Sequence, residues 1–257
     1  MQVVILAGGL GTRLAEKTKN IPKPMVEVGE IPIIEHIMRI YSKQGHCNFL
    51  IACGYKQEAI KRYFYEKLQL GNDLTIDFSD GAITNTSPST YKNWRVSMVN
   101  TGLLTQTGSR LKKLEKYLDD RFFLTYGDGV GNVDLDRLLS VHTVNNAQLT
   151  VTSVHPVSRY GSLLLDGDRV AEFEEKPEFN TKRVNAGFMV VQKEFLNYIS
   201  PSSEDIVLEN EPFKKAVSDR NMCAYHHTGF WHPMDTLRDN IKLNELYSDG
   251  QAPWFKL

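Results

Sequence analysis

The sequence has little of what marks an exported, membrane or nucleic-acid-binding protein. Only three of its 257 residues are cysteine (Cys47, Cys53 and Cys223). They form no C-x-x-C pair, and an odd count suits a reduced interior rather than a disulfide framework. Thirty Lys and Arg stand against 31 Asp and Glu, a formal charge of −1. There is thus no bulk field of one sign to draw in nucleic acid or an anionic membrane, and neither is expected as a partner. The longest apolar runs, such as 3–7 and 189–191, are strand-sized and far short of the ~20 residues a membrane span needs. Only Gln2 separates Met1 from the first of these runs, so we expect no signal peptide and a cytoplasmic protein. No repeat of 20–50 residues is present, which excludes a solenoid. What remains is 41% apolar and 10% aromatic, enough to bury a sizeable core.

The apolar pattern alternates between strands and helices. Residues 3–7 form an unbroken apolar run ending in glycines, as a buried parallel strand reads. Pro32 opens a helix with apolar positions at 33, 34, 37, 38 and 41, and Gly45 is placed to end it. Further strands are expected at 49–53, 74–78, 94–99, 122–126, 149–154 and 187–192, and a hairpin turned at Asp166-Gly167. Further helices are expected at 56–67, 111–118, 135–145, 195–199, 211–217 and 235–247, the last capped by Asp235. The polar stretch 80–93 reads as a loop. Together these predict a single doubly wound, Rossmann-like α/β domain with a mixed, mostly parallel sheet and a small C-terminal appendage. Its nucleotide-binding part is expected over about 1–130 and its sugar-phosphate part over about 131–257.

The chemistry begins at Leu6-Ala7-Gly8-Gly9-Leu10-Gly11-Thr12-Arg13. A glycine-rich turn straight after a first strand lets backbone N–H groups approach a phosphate closely. Two common readings fail on spacing. A P-loop needs Gly-Lys-Ser/Thr at its end, and no lysine follows Gly11. A dinucleotide fingerprint needs a third glycine where Leu14 stands, and an acidic residue after the second strand, where Cys53-Gly54 stands. Arg13 and Lys23 place two cations within reach of the turn.

At these residues the sequence resembles the sugar-phosphate nucleotidylyltransferases, which join a nucleoside triphosphate to a sugar 1-phosphate and release pyrophosphate. The carriers are the G-G-x-G-T-R-L run from Gly8 to Leu14 and the Pro22-Lys23-Pro24-Met25 that follows it. Tyr126-Gly127-Asp128-Gly129 resembles the metal-aspartate motif, and Met234-Asp235-Thr236 carries a second metal aspartate. Tyr160-Gly161 and Glu175-Lys176 resemble the sugar- and sugar-phosphate-binding segments, joined by Asn185 and Trp231. The resemblance implies a nucleotide site over residues 6–13, Lys23, Thr105, Thr107, Gly108, Arg110, Gly127 and Asp128. It implies Arg13, Lys23 and Asp128 as catalytic and Mg²⁺ as cofactor, held by Asp128 and Asp235. Likeness is strongest to members that use CTP and glucose 1-phosphate. Another base (dTTP or UTP), another acceptor, or a relative that binds without turnover are the competing readings. Because the nucleophile is an already ionised phosphate, no general base is needed, and catalysis rests on charge neutralisation and positioning.

Two finer expectations concern the base and assembly. Backbone carbonyls of 101–110 are expected to take the cytosine amine while Arg110 donates to the ring. Homo-oligomers are usual for such chains, and Trp254 and Phe255 offer a contact. His226, His227 and His232 match no standard zinc spacing.

Overall fold

The computed structural model describes residues 1–70, 73–85, 91, 93–156, 162–174, 182–201 and 205–256. Its main sheet and the ribbon beside it take their strands in chain order. These are β1 (Gln2–Ala7), β2 (Asn48–Cys53), β3 (Arg95–Asn100), β4 (Arg121–Tyr126), β5 (Gly129–Gly131), β6 (Leu149–Val154), β7 (Val184–Gln192), β8 (Met222–His226) and β9 (Trp231–Pro233). The longer helices are α1 (Ile33–Lys43), α2 (Gln57–Leu70), α3 (Thr107–Lys113), α4 (Leu135–Val144), α5 (Glu211–Ser218) and α6 (Leu237–Ser248).

Seven strands form one sheet in the order β8-β6-β7-β4-β1-β2-β3. The pairs β1–β2, β1–β4, β2–β3 and β6–β8 are parallel, and only β7 runs against its two neighbours. The sheet is therefore α/β, mixed and mostly parallel, as the alternation predicts. From β1 the chain winds outward to β2 and β3, then returns to β4 on the other side of β1. That reversal opens a crevice at the carboxyl ends of β1 and β4, the place where doubly wound sheets bind ligands.

Both sheet faces are covered, which explains the continuous apolar strands. Val3, Ile5, Phe49, Ile51, Phe123 and Phe188 pack with α1 on one face, while Val4, Leu50, Phe122, Leu124 and Met189 pack beneath α3 on the other. Helix α1 ends with Gly45 at φ +84°, the left-handed stop its position announces.

Several boundaries differ from the sequence reading. The stretch 80–93 is not all loop, because Ile83–Asn85 pairs antiparallel with Leu74–Ile76 and makes a small hairpin away from the main sheet. Phe78 lies in the loop of that hairpin, beyond its first strand, and is 92% exposed. Helix α3 starts four residues earlier than expected, at Thr107, and stops at Lys113 before a separate turn of 3₁₀ helix. Strand β7 starts at Val184, so Asn185 and Ala186 belong to it. Trp254 is no surface contact. It is 1% exposed, and its indole N–H reaches His36 Nδ1 at 3.2 Å inside the chain's own core. No described helix is long and apolar enough to cross a membrane.

Candidate active site

The turn after β1 forms one wall of a cleft of about 270 Å³ at the crevice between β1 and β4. Gly11 sits at φ +65°, a left-handed conformation that a side chain resists, and starts a turn of 3₁₀ helix over Thr12–Leu14. The Leu14 N–H and the Thr18 hydroxyl both donate to the Gly11 carbonyl at 3.0 Å and fix the turn. Leu6, Ala7, Gly8, Gly9, Gly11 and Thr12 line the cleft as expected for a phosphate cradle. Leu10 does not. It is 43% exposed, outside the lining. Gly127, which follows β4, closes the floor, its N–H donating to Leu6 O at 3.1 Å.

A charged centre lies at one end. Lys23 opens a short 3₁₀ turn, and its ammonium reaches Asp128 Oδ2 at 2.6 Å and Asp235 Oδ1 at 2.8 Å. Burial opposes its charge, but the two carboxylates outweigh that cost and raise its pKa. The Arg13 guanidinium meets Asp235 Oδ2 at 3.1 Å while its side chain stays 72% exposed, open to a ligand. Asp128 and Asp235, 107 positions apart, are brought together by a ribbon. Strand β5 directly follows Asp128, β9 ends just before Met234, and the two strands pair antiparallel. The Met234 N–H donates to Asp128 O at 2.7 Å.

The structure corrects one assignment here. Asp235 does not cap α6. Thr236 does, with a reciprocal bond to Asp239 that completes a capping box. The Asp235 carboxylate instead meets Lys23 and Arg13.

The two aspartates suit a hard divalent ion. They already seat one cation, the lysine ammonium, between them. Among the described residues no group of three or more metal-ligating side chains forms, so phosphate and water would have to complete the shell. That partial protein coordination is the habit of Mg²⁺, which usually takes one or two carboxylates plus substrate phosphates.

The far end of the cleft is walled by Thr105, Gln106 and Thr107. Thr107 Oγ1 donates to Glu209 Oε2 at 3.2 Å and accepts from Leu208 N. Gly108 is turned away. Its N–H is taken by Ile206 O at 2.8 Å, which ties the start of α3 to that segment, and it is not among the cleft-lining residues. Arg110 also lines the cleft, from beneath. It is 3% exposed, and Nη1 and Nη2 donate inward to carbonyls of Gly8, Cys53, Gly102 and Thr105 and to the Thr101 hydroxyl. Both terminal nitrogens are thus engaged by the protein's own oxygens.

On the acceptor side, Tyr160, Gly161, Glu175 and Lys176 lie outside the described residues. Asn185 Oδ1 accepts from Gly187 N at 2.9 Å, and Trp231 Nε1 donates to Ala186 O at 2.8 Å, so the indole braces β7 against the ribbon. Gly187, at φ +81°, leaves room for the ring of Tyr126, whose hydroxyl donates to Glu209. Glu209 escaped the sequence reading. It lies two residues before α5 with no motif around it, and only the fold brings it to β4.

Comparison with known proteins agrees with this geometry. The chain is 39% identical over 256 residues to the glucose-1-phosphate cytidylyltransferases of Salmonella typhi and Salmonella typhimurium, covering 99% of this chain and 98% of each of theirs. Its fold matches the crystal structure of HddC from Yersinia pseudotuberculosis complexed with GMP-PN, with a TM-score of 0.68 at 23% identity over 96% of this chain and 99% of that one. Residues 2–249 match the nucleotidyl transferase family. With the glycine turn, the paired aspartates and the cations all in one crevice, the chain belongs to that family.

Proposed function

We propose that this protein transfers a cytidylyl group from CTP to glucose 1-phosphate, giving CDP-glucose and pyrophosphate. The observation that carries the reading is the convergence of Arg13, Lys23, Asp128 and Asp235 on the glycine turn. The full-length likeness to cytidylyltransferases supplies the base and the sugar. Backbone N–H groups of the turn and the Arg13 guanidinium hold the departing β- and γ-phosphates. Lys23 turns from the carboxylates to the α-phosphate, where negative charge builds as the acceptor oxygen attacks. Asp128 and Asp235 hold Mg²⁺, which when bound neutralises phosphate charge and polarises the reacting phosphoryl group. Lys176 takes the sugar phosphate by resemblance to the family. The acceptor phosphate carries its own nucleophilic oxygen, so no side chain removes a proton. At the base end, the Gln106 amide offers both a donor and an acceptor, the pair that cytosine's edge requires.

The test is pyrophosphate release with CTP, UTP, dTTP and GTP, each against glucose, mannose and N-acetylglucosamine 1-phosphates. CTP with glucose 1-phosphate is expected to give the highest kcat/KM. A faster reaction with another base or sugar would reassign the substrate, and no release with any pair would refute catalysis.

A further inference from the structure

Arg110 is a buried cation that faces only neutral oxygens. Four of its acceptors are main-chain carbonyls (Gly8 at 3.2 Å, Cys53 at 3.0 Å, Gly102 at 3.0 Å and Thr105 at 2.7 Å), and the fifth is the Thr101 hydroxyl at 2.5 Å. No acidic side chain pairs with it among the described residues. Burial accordingly lowers its pKa. Leaving so costly a group unpaired calls for a reason. The acceptors belong to three separate segments, namely the glycine turn, the carboxyl end of β2, and the loop that leads from β3 to α3. Each of these borders or underlies the nucleotide cleft. The sequence has also made space for this guanidinium. A Cβ at Gly8 would fall against Cζ, Nη1 and Nε of Arg110, and no other group is nearer. A Cβ at Gly54 would lie 2.6 Å from Nη1.

The geometry points to Arg110 as the positioning residue of the nucleotide cradle: its guanidinium templates the glycine turn from behind and sets a fixed positive charge under the triphosphate, without reading the base. This rests on the cytidylyl-transfer reading for its ligand, and it goes beyond that reading in assigning Gly8 a partner inside the protein. A planar fork reaches several carbonyls at once, which a lysine ammonium does not, so Arg110→Lys is not conservative here. The charge acts on any triphosphate alike, whereas a base-reading donor would tell cytosine from uracil.

The experiment measures equilibrium binding of CTP and of UTP by calorimetry, together with thermal melting, for wild type, Arg110→Lys, Arg110→Met, Gly8→Ala and the Gly8→Ala/Arg110→Met double variant. Arg110→Met should weaken both nucleotides by about tenfold or more, the scale of one lost charge-assisted contact, and leave their ratio within about twofold. Arg110→Lys should fall between wild type and Arg110→Met. Gly8→Ala should lower the melting temperature in the wild-type background but little in the Arg110→Met background, where the obstructing guanidinium is gone. A collapsed CTP:UTP ratio, or unchanged affinity in Arg110→Met, would overturn the inference. So would equal melting losses from Gly8→Ala in both backgrounds. The melting cycle uses no nucleotide, so it still decides Arg110's placement if wild type proves not to bind CTP, an outcome that would count against the proposed function instead. Should Arg110→Met not fold, Arg110→Lys carries both arms in its place.

Discussion

Asp235 shows how a residue's role depends on which neighbour does the neighbouring job. Because Thr236 and Asp239 cap α6 between them, the Asp235 carboxylate contributes to charge rather than to helix stability. Asp235→Asn is therefore expected to cut kcat/KM by about two orders of magnitude or more, the usual scale for losing a charge at a phosphoryl-transfer centre. Its melting temperature should stay within a few degrees of wild type. A variant that kept near-normal turnover at saturating Mg²⁺ would contradict the metal role. Arg13, exposed and paired with Asp235, makes a different prediction. Arg13→Ala should lower kcat strongly while the KM for the sugar phosphate changes little, because the guanidinium acts on the leaving group. A rise in that KM with kcat intact, measured by steady-state rates, would move Arg13 to the acceptor side.

At the scale of elements, α6 owes its start to Thr236, whose side chain accepts from Asp239 N while Asp239 reaches back to the Thr236 N–H. Thr236→Ala removes half of that exchange and should cost about 1 kcal/mol by chemical denaturation. Its effect on activity reports how far the helix start holds Asp235 in place. The same region shows what a sequence can and cannot display. Strands β1, β2 and β4 and helix α1 were legible because buried parallel strands are unbroken apolar runs and α1 repeats its apolar positions at helical spacing. The glycine turn with its two cations was legible as well, because those residues are close in the chain. The β5–β9 ribbon was not. Each strand has three residues, and pairing across a hundred positions leaves no local period to read. The inward bonds of Arg110 were hidden for a related reason. Sequence shows that a cation lies near the cleft, but only the backbone carbonyls from three distant segments show which way it faces.

At the scale of the molecule, two buried histidines bear on acid stability. His36 accepts the Trp254 indole N–H at Nδ1 and meets Val28 O at 2.8 Å through Nε2, so the proton sits on Nε2 and a second has no acceptor to meet. The ring of His142 bonds Thr150 through Nδ1 and leaves Nε2 buried without a partner among the described residues. Burial is the main cause that lowers each pKa from 6.5 to about 4. Between those values the unfolded chain binds protons that the folded chain does not, so stability should fall as pH drops from 6.5 toward 4. Denaturant unfolding across that window should show an uptake of up to about two protons, and flat stability would contradict the neutral rings. His36→Phe would remove the tie to Trp254 as well, so His142→Phe is the cleaner variant for assigning one of them.

The ribbon has a last consequence for how the chain can be divided. Asp128 stands on one side of it and Asp235 on the other, and β4 lies between β1 and β7 in the sheet. A backbone cut between Gly131 and Asp134 would give each fragment one carboxylate and leave β4 bare along the edge that β7 covers. Neither piece would be a smaller enzyme. Mixed together, they would regain the paired charge only when β5 found β9, so recovered turnover would serve as a direct readout of two halves of one sheet finding each other.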